Sequence, residues 1–468
     1  MADGSLNAPL PGIQPSAISV EAPRTRTLPQ ARTLPGVAWL GAHRPDAFAT
    51  GGLLLLTALV AWQRLWLWNG LAYLDVAAFY LPWYAFMGEH LRALDVPGWN
   101  PHQFGGAPFA GDPQSGWTYL PAMAFFTFLK PVLAYKLFLA FHLLLAGVSA
   151  FVLARLLGMR PVGALAAALA YEFGPLTSHL SCCLIHVQLA VWIPPALIGV
   201  ELAARATTWT GRSAAWTLTA VAVSQMLAGW IGQGAYNGML VVGSYLLYRF
   251  LASPPGPRPL KQRVLGCLAA GFGSFSLGLA LAAAGVLPRL DAVRETNVAG
   301  GQYSGSGSHD YSGGWDAATL VGRLFSDGAT YYSLLYYLGG ATLALALLAV
   351  FFARRRYAVP YFLALLVVVS VLTLNPTPLH TLFYLLPGFR VLQEHVPSRI
   401  LAVQWIAAAM LAGASVDAIQ RGLVPRRALL GLAAPFAAWG AVDVLLTNAK
   451  GALSRATALS VLAALLLA

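Results

Sequence analysis

Long runs of apolar residues, separated by short polar segments, recur along most of the chain. A run of about 20 such residues has the length that crosses the hydrocarbon core of a bilayer. Lipid offers the backbone no hydrogen-bond partners, so each run is predicted to be an α-helix. The pattern predicts an all-α polytopic membrane protein with about 11 or 12 transmembrane helices, near residues 47–68, 131–157, 162–178, 183–204, 213–230, 234–252, 264–287, 334–353, 357–374, 399–420, 428–447 and 452–468.

Both ends of the chain differ from this pattern. Residues 1–45 are rich in Pro, Ala, Thr and Arg and contain no apolar run, which predicts a disordered cytoplasmic tail ahead of a transmembrane domain over residues 46–468. The first apolar run begins near Phe48 without a credible cleavage site after it, so we interpret it as a retained helix. The sequence stops inside the last, weak run, so either the chain ends in the membrane or a longer protein has been cut.

Charge gives these helices an orientation. The chain has 58% hydrophobic and 10% charged residues, a net charge of +12 and a mean hydropathy of +0.65. A soluble protein this basic would suggest a nucleic-acid partner, but here the basic residues alternate between apolar spans, as in cytoplasmic loops. We therefore expect a multi-pass protein of the bacterial inner membrane, with a cytoplasmic N-terminus and no nucleic-acid partner. The basic clusters include Arg155 with Arg160, Arg205 with Arg212, Arg354 to Arg356, and Arg426 with Arg427.

The opposite, outer face is predicted to carry three long loops, over about residues 69–130, 288–333 and 375–398. These loops hold most of the acidic residues and many Trp and Tyr residues, which are typical of segments at the membrane interface. Long loops on one face of a rigid helix bundle are where function usually resides. We therefore expect any chemistry to lie on the outer face.

The first outer loop supplies two candidate catalytic carboxylates. Asp75 directly follows the first span, and the amphipathic pattern of residues 76–94 predicts a helix lying flat on the membrane. A Gly-rich return segment over residues 98–116 contains Asp112, together with His102 as a further candidate. The return segment could fold the two carboxylates together. The alternative role for Asp75 is that of a helix-capping residue.

The last outer loop supplies three candidate cations, Arg390, His395 and Arg399. Arginine on the outer face opposes the usual charge bias and so requires a reason. One reason is an anionic ligand, because the guanidinium group matches phosphate oxygens bidentately. The alternative is a salt bridge to Glu394 or to a loop carboxylate.

A further candidate is Glu172, within the apolar run LAAALAYEFGPL, where a carboxylate is costly. Its alternative is a position at the outer interface, paired with His179 or with an arginine. His179 and His186 lie seven residues apart, but no acidic third ligand accompanies them, so we predict no metal site.

These residue types suit one reaction. Transfer of a sugar from a lipid phosphate requires a base that removes the proton of the acceptor hydroxyl, and a carboxylate serves if partial burial raises its pKa. The leaving group is an anionic phosphate, which an arginine can hold.

Five pieces of the chain, in order, support a family assignment: Asp75 with PGWNPHQFGGAPFAGDPQSGWTYLP, AYEFGPLTSHLSCCLIHVQLAVWIPPALIGVELAAR, GWIGQGAYNGMLVVGSYLLYR, LPRLDAVRETNVAGGQYS and NPTPLHTLFYLLPGFRVLQEHVPSRI. Together they resemble the YfhO-type bacterial membrane proteins, which are grouped with GT-C glycosyltransferases. The resemblance covers about residues 50–420. Family members are often longer, so this chain departs from them after about residue 420.

The resemblance implies a GT-C-like bundle and a glycosyltransferase that uses a polyprenyl-phosphate sugar in the bilayer and a cell-envelope acceptor. Asp75 matches the acidic residue that acts as base or positions a metal, and Asp112 matches that of the closing segment. Arg390 and Arg399 match the basic residues placed on the donor phosphate. The cofactor stays unknown, with a divalent cation open. The alternatives are a lipid or polysaccharide transporter and a non-catalytic membrane scaffold.

Overall fold

A computed structural model describes residues 35–67, 75–103, 105–180, 183–295, 314–325, 336–429 and 431, without the side chains of residues 35–44, 178, 325, 394 and 395. The described residues from Pro45 onward belong to one compact unit, and all contacts below lie within it. The predicted spans 428–447 and 452–468 fall almost entirely outside the described residues. The first helix begins at Pro35, inside the segment predicted to be a tail.

The first half of the described chain is almost entirely helical. Its helices are α1 Pro35–Ala61, α2 Leu81–Arg92, α3 Leu120–Phe128, α4 Pro131–Leu156, α5 Pro161–Glu172, α6 Pro175–His179, α7 Leu184–Ala190, α8 Ile193–Arg205 and α9 Trp209–Gly229. Short π-helical turns follow α1 at Trp62–Leu67 and precede α2 at Val76–Tyr80. Between α2 and α3, the two-residue strands β1 Trp99–Asn100 and β2 Ala107–Pro108 pair antiparallel, with Trp99 opposite Pro108.

The second half continues in the same way. Its helices are α10 Gln233–Leu247, α11 Leu260–Arg294, α12 Ala317–Phe325, α13 Gly340–Phe352, α14 Val359–Leu372, α15 Pro378–Phe383, α16 Phe389–His395 and α17 Trp405–Gln420. A π-helical turn over Tyr248–Ala252 follows α10, and a 3-10 segment over Pro397–Gln404 leads into α17. An isolated bridge joins Trp315 to Leu374.

The predicted class, an all-α polytopic membrane protein, is confirmed. Within the described residues, five helical stretches are long and apolar enough to cross a membrane: Pro45–Leu67, Pro131–Leu156, Leu184–Arg205, Leu260–Arg294 and Pro397–Gln420. The shorter helices α13 and α14 are also apolar. Helix α17 is the centre of the bundle, because nearly all of its residues from Trp405 to Ser415 are buried. A helix that is apolar on all sides belongs in such a position.

The predicted span over residues 162–178 is interrupted. Helix α5 ends at Glu172 after 12 residues, a length of roughly 18 Å that cannot cross a membrane. The reason is local, because Gly174 and Pro175 follow and the residue before a proline avoids helical geometry. The short helices α6 and α7 therefore run inside the bundle, which buries His179 and His186.

Hydrogen bonds between helix ends define two ends of the bundle. Arg289 donates to the carbonyl oxygens of Asp112 and Leu227, and the Leu120 amide donates to Gln225; we call this the Asp112 end. The Arg160 amide donates to the carboxylate of Asp417 at 2.6 Å, which joins the start of α5 to the last turn of α17. We call this the Asp417 end. Helix α17 runs between the two ends, because it begins directly after the 3-10 segment and carries Asp417 in its last turn.

Candidate functional site

Asp75 and Asp112 both lie near the buried hydroxyl of Tyr80. That hydroxyl donates to the Gln114 side-chain oxygen at 3.0 Å. Burial raises the pKa of Tyr80 well above its usual value, and the neighbouring Tyr84 raises it further. The negative charges of Asp75 and Asp112 also raise the Tyr80 pKa, which requires both carboxylates to be within electrostatic range. The return segment therefore brings the two carboxylates to one tyrosine.

Asp75 is not a helix cap. It precedes the π-helical turn in right-handed helical geometry, and its side chain makes no capping hydrogen bond. Asp75 is exposed, and no hydrogen bond to its carboxylate is found in the part of the chain that the structure describes. Partial burial raises the pKa of Asp75 above its ordinary value. An uncommitted carboxylate with a raised pKa can accept a proton from a substrate hydroxyl.

Asp112 is more tightly held. Its carboxylate accepts the backbone N–H of Gln114 at 2.7 Å, which closes an Asx turn. Burial raises the Asp112 pKa, while the Gln114 amide and the positive charge of Arg289 act in the opposite direction. The net effect is a rise, so this carboxyl also titrates closer to neutrality than a solvated one.

Arg289 organises the return segment and was not predicted from the sequence. It is fully buried near the end of α11 and donates to the carbonyl oxygens of Asp112, Leu227 and Trp117 at 3.0 to 3.2 Å. These three bonds attach residues 112–117 to the ends of α9 and α11. A signal was present in the sequence, because an arginine closing an apolar span on the predicted outer side breaks the same charge rule that singled out Arg390 and Arg399.

A layer of polar side chains lies beneath the carboxylates. Gln188 on α7 donates to the Tyr84 hydroxyl at 2.6 Å. The Tyr119 hydroxyl contacts His142 at 2.7 Å and accepts the Trp192 indole N–H at 3.1 Å. These groups satisfy one another and fix α2, α4 and α7 around the site.

Arg399 reaches the same region from the other side of α7. Its side chain is half-buried on the 3-10 segment and lies within electrostatic range of His186. Ile185, the residue before His186 on α7, contributes a backbone hydrogen bond that lowers the Tyr80 pKa. Adjacent residues of α7 therefore lie near Arg399 and near Tyr80.

The expected salt bridge of Arg399 is not observed with any acidic residue whose side chain the structure describes. The Glu394 side chain, one of the proposed partners, lies outside that description. Arg399 is therefore a half-buried cation at the Asp112 end, beside a layer that contains two histidines.

That layer consists of four rings that pack against one another at tilted angles. His179 lies 4.9 Å from His186 and 4.7 Å from Trp405, and His186 lies 4.7 Å from Trp230, between ring centroids. The described residues contain no group of three or more His, Cys, Asp or Glu side chains that could hold a metal ion. The buried Trp405 indole N–H has no hydrogen-bond partner among them, so a polar group of a ligand or a water could be recognised there.

The other candidate residues are more dispersed. The exposed Arg390 lies over the Tyr384 ring, 5.5 Å from its centroid. His395 is the last residue of α16, and its side chain lies outside the described part. His102 is exposed in the β1–β2 turn, with its ring edge-on to Phe86 at 6.0 Å.

Glu172 is buried between α1, α4 and α5. Its partner is Thr57, with the hydroxyl 2.6 Å from one carboxyl oxygen. The expected pairing with His179 or an arginine is not observed in the described residues, where the second carboxyl oxygen has no partner. His179 instead contacts the carbonyl oxygen of Pro175 at 2.9 Å.

A large apolar cavity of about 1040 Å³ lies between α10, α11 and α14. The exposed side chains of Leu268 and Phe272 border it, so it opens toward the surface that faces lipid. At the Asp112 end its walls include Phe383, Ile400 and Val403. Ile400 directly follows Arg399, so one wall of the cavity belongs to the segment that carries this guanidinium.

Comparisons with known proteins add a distant likeness. No protein-family model and no curated protein matches the chain. Among solved structures, the chain is similar to a mutant of the arabinofuranosyltransferase AftD from mycobacteria, determined by single-particle cryo-electron microscopy, with 16% sequence identity and a TM-score of 0.43. The match covers 82% of this chain and 28% of that one. The chain therefore spans about a quarter of that protein's length.

Proposed function

We propose that this protein is a GT-C-like membrane glycosyltransferase that moves a sugar from a polyprenyl-phosphate donor to a cell-envelope acceptor, on the outer face of the inner membrane. One observation carries the proposal: the apolar cavity is lined by Ile400, next to Arg399 in the chain, and α7 lies near Arg399 and near Tyr80, which has both carboxylates within electrostatic range. This arrangement supports the binding of a lipid chain, an anionic head group and an acceptor close to one another.

The cavity suits the lipid part of the donor. Its volume of about 1040 Å³ lies at the upper end of the roughly 300–1,000 Å³ range of ligand sites. Its walls are almost wholly apolar, and it is open to the surrounding lipid, so a hydrocarbon chain can enter sideways from the bilayer. The phosphate of the donor would then lie at Arg399, which matches its oxygens in charge and geometry.

Asp75 is the proposed base, because its carboxylate is uncommitted while that of Asp112 is held in a turn. Asp75 accepts the proton of the acceptor hydroxyl as the oxygen attacks the anomeric carbon of the sugar. The bond from that carbon to the phosphate oxygen breaks, and polyprenyl phosphate leaves with the electron pair beside Arg399. Asp112 would hold the acceptor hydroxyl in place.

A divalent cation is not built into this scheme. The oxygens of Asp75 and Asp112 are ligands of the type that Mg²⁺ and Ca²⁺ prefer. No third acidic or histidine ligand joins them within the described residues, so we derive no step through a metal.

Replacement of the base tests the proposal. We expect Asp75→Asn in proteoliposomes with a panel of radiolabelled polyprenyl-phosphate sugars to lower transfer by about 10²–10⁴-fold. The control is Glu89→Gln, which changes an exposed carboxylate of α2 in the same loop and should leave transfer unchanged.

The same assay gives a pH dependence. The base must be deprotonated, so wild-type transfer should fall as pH drops through the raised Asp75 pKa, at a higher pH than for a solvated aspartate. Full activity of Asp75→Asn would overturn the assignment of the base. Movement of the lipid-linked sugar across the bilayer without a covalent product would overturn the proposed glycosyltransferase activity.

Transport is the second candidate, and one observation favours it. The half-length helix α5 places Glu172 deep among helices with an unpartnered oxygen, and interrupted helices with buried charges are typical of transporters. The variant Glu172→Gln separates transport from a structural role of this residue.

A further inference from the structure

A second, polar cavity of about 420 Å³ lies at the Asp417 end, at the opposite end of the bundle from the proposed transfer site. Its walls come from the ends of α4 and α8, the π-helical turn after α10, and the connection between α13 and α14. Two tyrosines and a serine, Tyr248, Tyr357 and Ser253, line it. Five arginines also line it: Arg205, Arg249, Arg354, Arg355 and Arg356.

The only acidic residue that the described structure places against these arginines is Glu201, and it is already saturated. Glu201 is fully buried and accepts hydrogen bonds from Arg205 at 2.8 Å, from Arg249 at 3.1 Å and from the Tyr245 hydroxyl at 2.6 Å. Two of the five guanidinium groups share this one carboxylate, which leaves an excess of positive charge in the cavity.

Arg354 and Arg355 carry most of the uncompensated charge. Both side chains are exposed. No ion pair joins either of them to an acidic residue in the described ranges. An anion bound between such neighbours would offset their mutual repulsion.

The turn that presents these arginines is held in a strained shape. Tyr357 and Ala358 have positive φ angles of 52° and 56°, a left-handed geometry that costs roughly 1–2 kcal/mol for residues other than glycine. The Tyr357 hydroxyl donates to the Asp417 carboxylate on α17, which fixes the turn against the bundle. Arginines that serve only to orient a loop in the membrane require no such anchoring, so the strain points to a binding role.

We propose that this cavity binds a phosphate-bearing anion. Converging guanidinium groups favour a ligand with two or more negative charges, and the tyrosine and serine hydroxyls supply further donors. The anion could be the head group of an acidic phospholipid or a soluble phosphate compound, since both offer the same oxygens. The site is separate from the proposed glycosyl transfer and does not depend on it.

The test compares matched pairs of arginines in the full-length protein. The pocket variant is Arg354→Gln with Arg355→Gln. The control is Arg426→Gln with Arg427→Gln, an exposed pair that follows α17 at the same end and does not line the cavity. Because all four side chains are exposed, both variants should fold, and the melting temperature in pure phosphatidylcholine nanodiscs checks this.

Two probes distinguish the sources of the anion. Phosphatidylglycerol retained through delipidation is counted by native mass spectrometry, and inorganic pyrophosphate is titrated by thermal shift. We expect one of them to bind the wild type and the control alike, with at least a tenfold loss in the pocket variant and weaker binding at high salt. Retention of phosphatidylglycerol alone identifies a lipid head group, and a pyrophosphate response alone identifies a soluble ligand. Equal losses in both variants, or binding of neither probe, would overturn the proposal.

Discussion

A carboxyl group surrounded by helices requires either a charged partner or a proton. The contacts of Glu172 favour the protonated form. The Thr57 hydroxyl lies 2.8 Å from the Leu53 carbonyl oxygen and 2.6 Å from Glu172. A hydroxyl has a single proton to donate. If Thr57 gives it to Leu53, the usual bond of a helical threonine, the second short contact needs a proton from Glu172. The geometry therefore favours a neutral carboxylic acid.

This protonation state predicts that Glu172→Gln is mild. The glutamine is neutral, has the same shape and can donate to Thr57, so the free energy of unfolding should change by about 1 kcal/mol or less. Glu172→Ala leaves a cavity and should cost roughly 2–4 kcal/mol. Chemical denaturation in detergent measures both variants, and glycosyl transfer by the glutamine variant should persist. A glutamine variant that is folded but inactive would contradict the structural role and favour proton-coupled transport.

The residues of the site differ in how visible they were in the sequence. Asp75, Asp112 and Arg399 could be selected because each breaks a local rule of membrane proteins, by charge or by position. Arg289 breaks the charge rule as well but was not selected, Tyr80 breaks no rule, and the roles of both residues exist only after folding. Arg289, for instance, donates to a carbonyl 177 positions earlier in the chain, a partner that no spacing along the sequence could identify.

The bounds of a helix were predictable where the apolar run of that helix alone sets its length. Helix α4 covers Pro131–Leu156 against a predicted span of 131–157, because its apolar run is uninterrupted. Helix α5 was predicted too long, because hydropathy averages over the Gly174–Pro175 break. The return segment after α2 was predicted only as a turn-rich loop, and its shape depends on donors from α11.

Arg289 should therefore control an entire element. Arg289→Met leaves three carbonyl oxygens without their donor, which should lower the free energy of unfolding by roughly 3 kcal/mol or more and expose residues 98–117 to protease. Loss of the positive charge should also raise the Asp112 pKa further, because that charge favours the carboxylate.

Arg294→Met is the matched control for this prediction. Arg294 lies on the same helix, is 78% exposed and approaches Asp291 only to 3.8 Å, so its loss should cost less than about 1 kcal/mol. Thermal denaturation and limited proteolysis of both variants provide the measurement. Similar behaviour of the two variants would show that Arg289 does not hold the return segment.

At the scale of the whole molecule, the bundle separates two kinds of surface. The Asp112 end combines carboxylates, one half-buried arginine and the mouth of an apolar cavity, whereas the Asp417 end concentrates arginines around a polar cavity. The alternation of apolar and basic segments made this polarity predictable. The apolar cavity was not predictable, since it arises from the way α10, α11 and α14 fail to fill the space between them.

The cavity gives the last prediction, which concerns Gly271 on α11. A side chain added there would meet only Leu246 at 3.9 Å, so Gly271→Phe should project into free space and shorten the cavity. If the lipid chain of the donor occupies it, KM for a long-chain polyprenyl-phosphate sugar should rise about tenfold, which corresponds to roughly 1.4 kcal/mol, while a short-chain analogue should be unaffected. Gly52→Phe on α1 is the control, because it adds the same ring at a helical glycine with open surroundings outside the cavity. An equal change in KM for both chain lengths, or for both variants, would place the donor chain elsewhere.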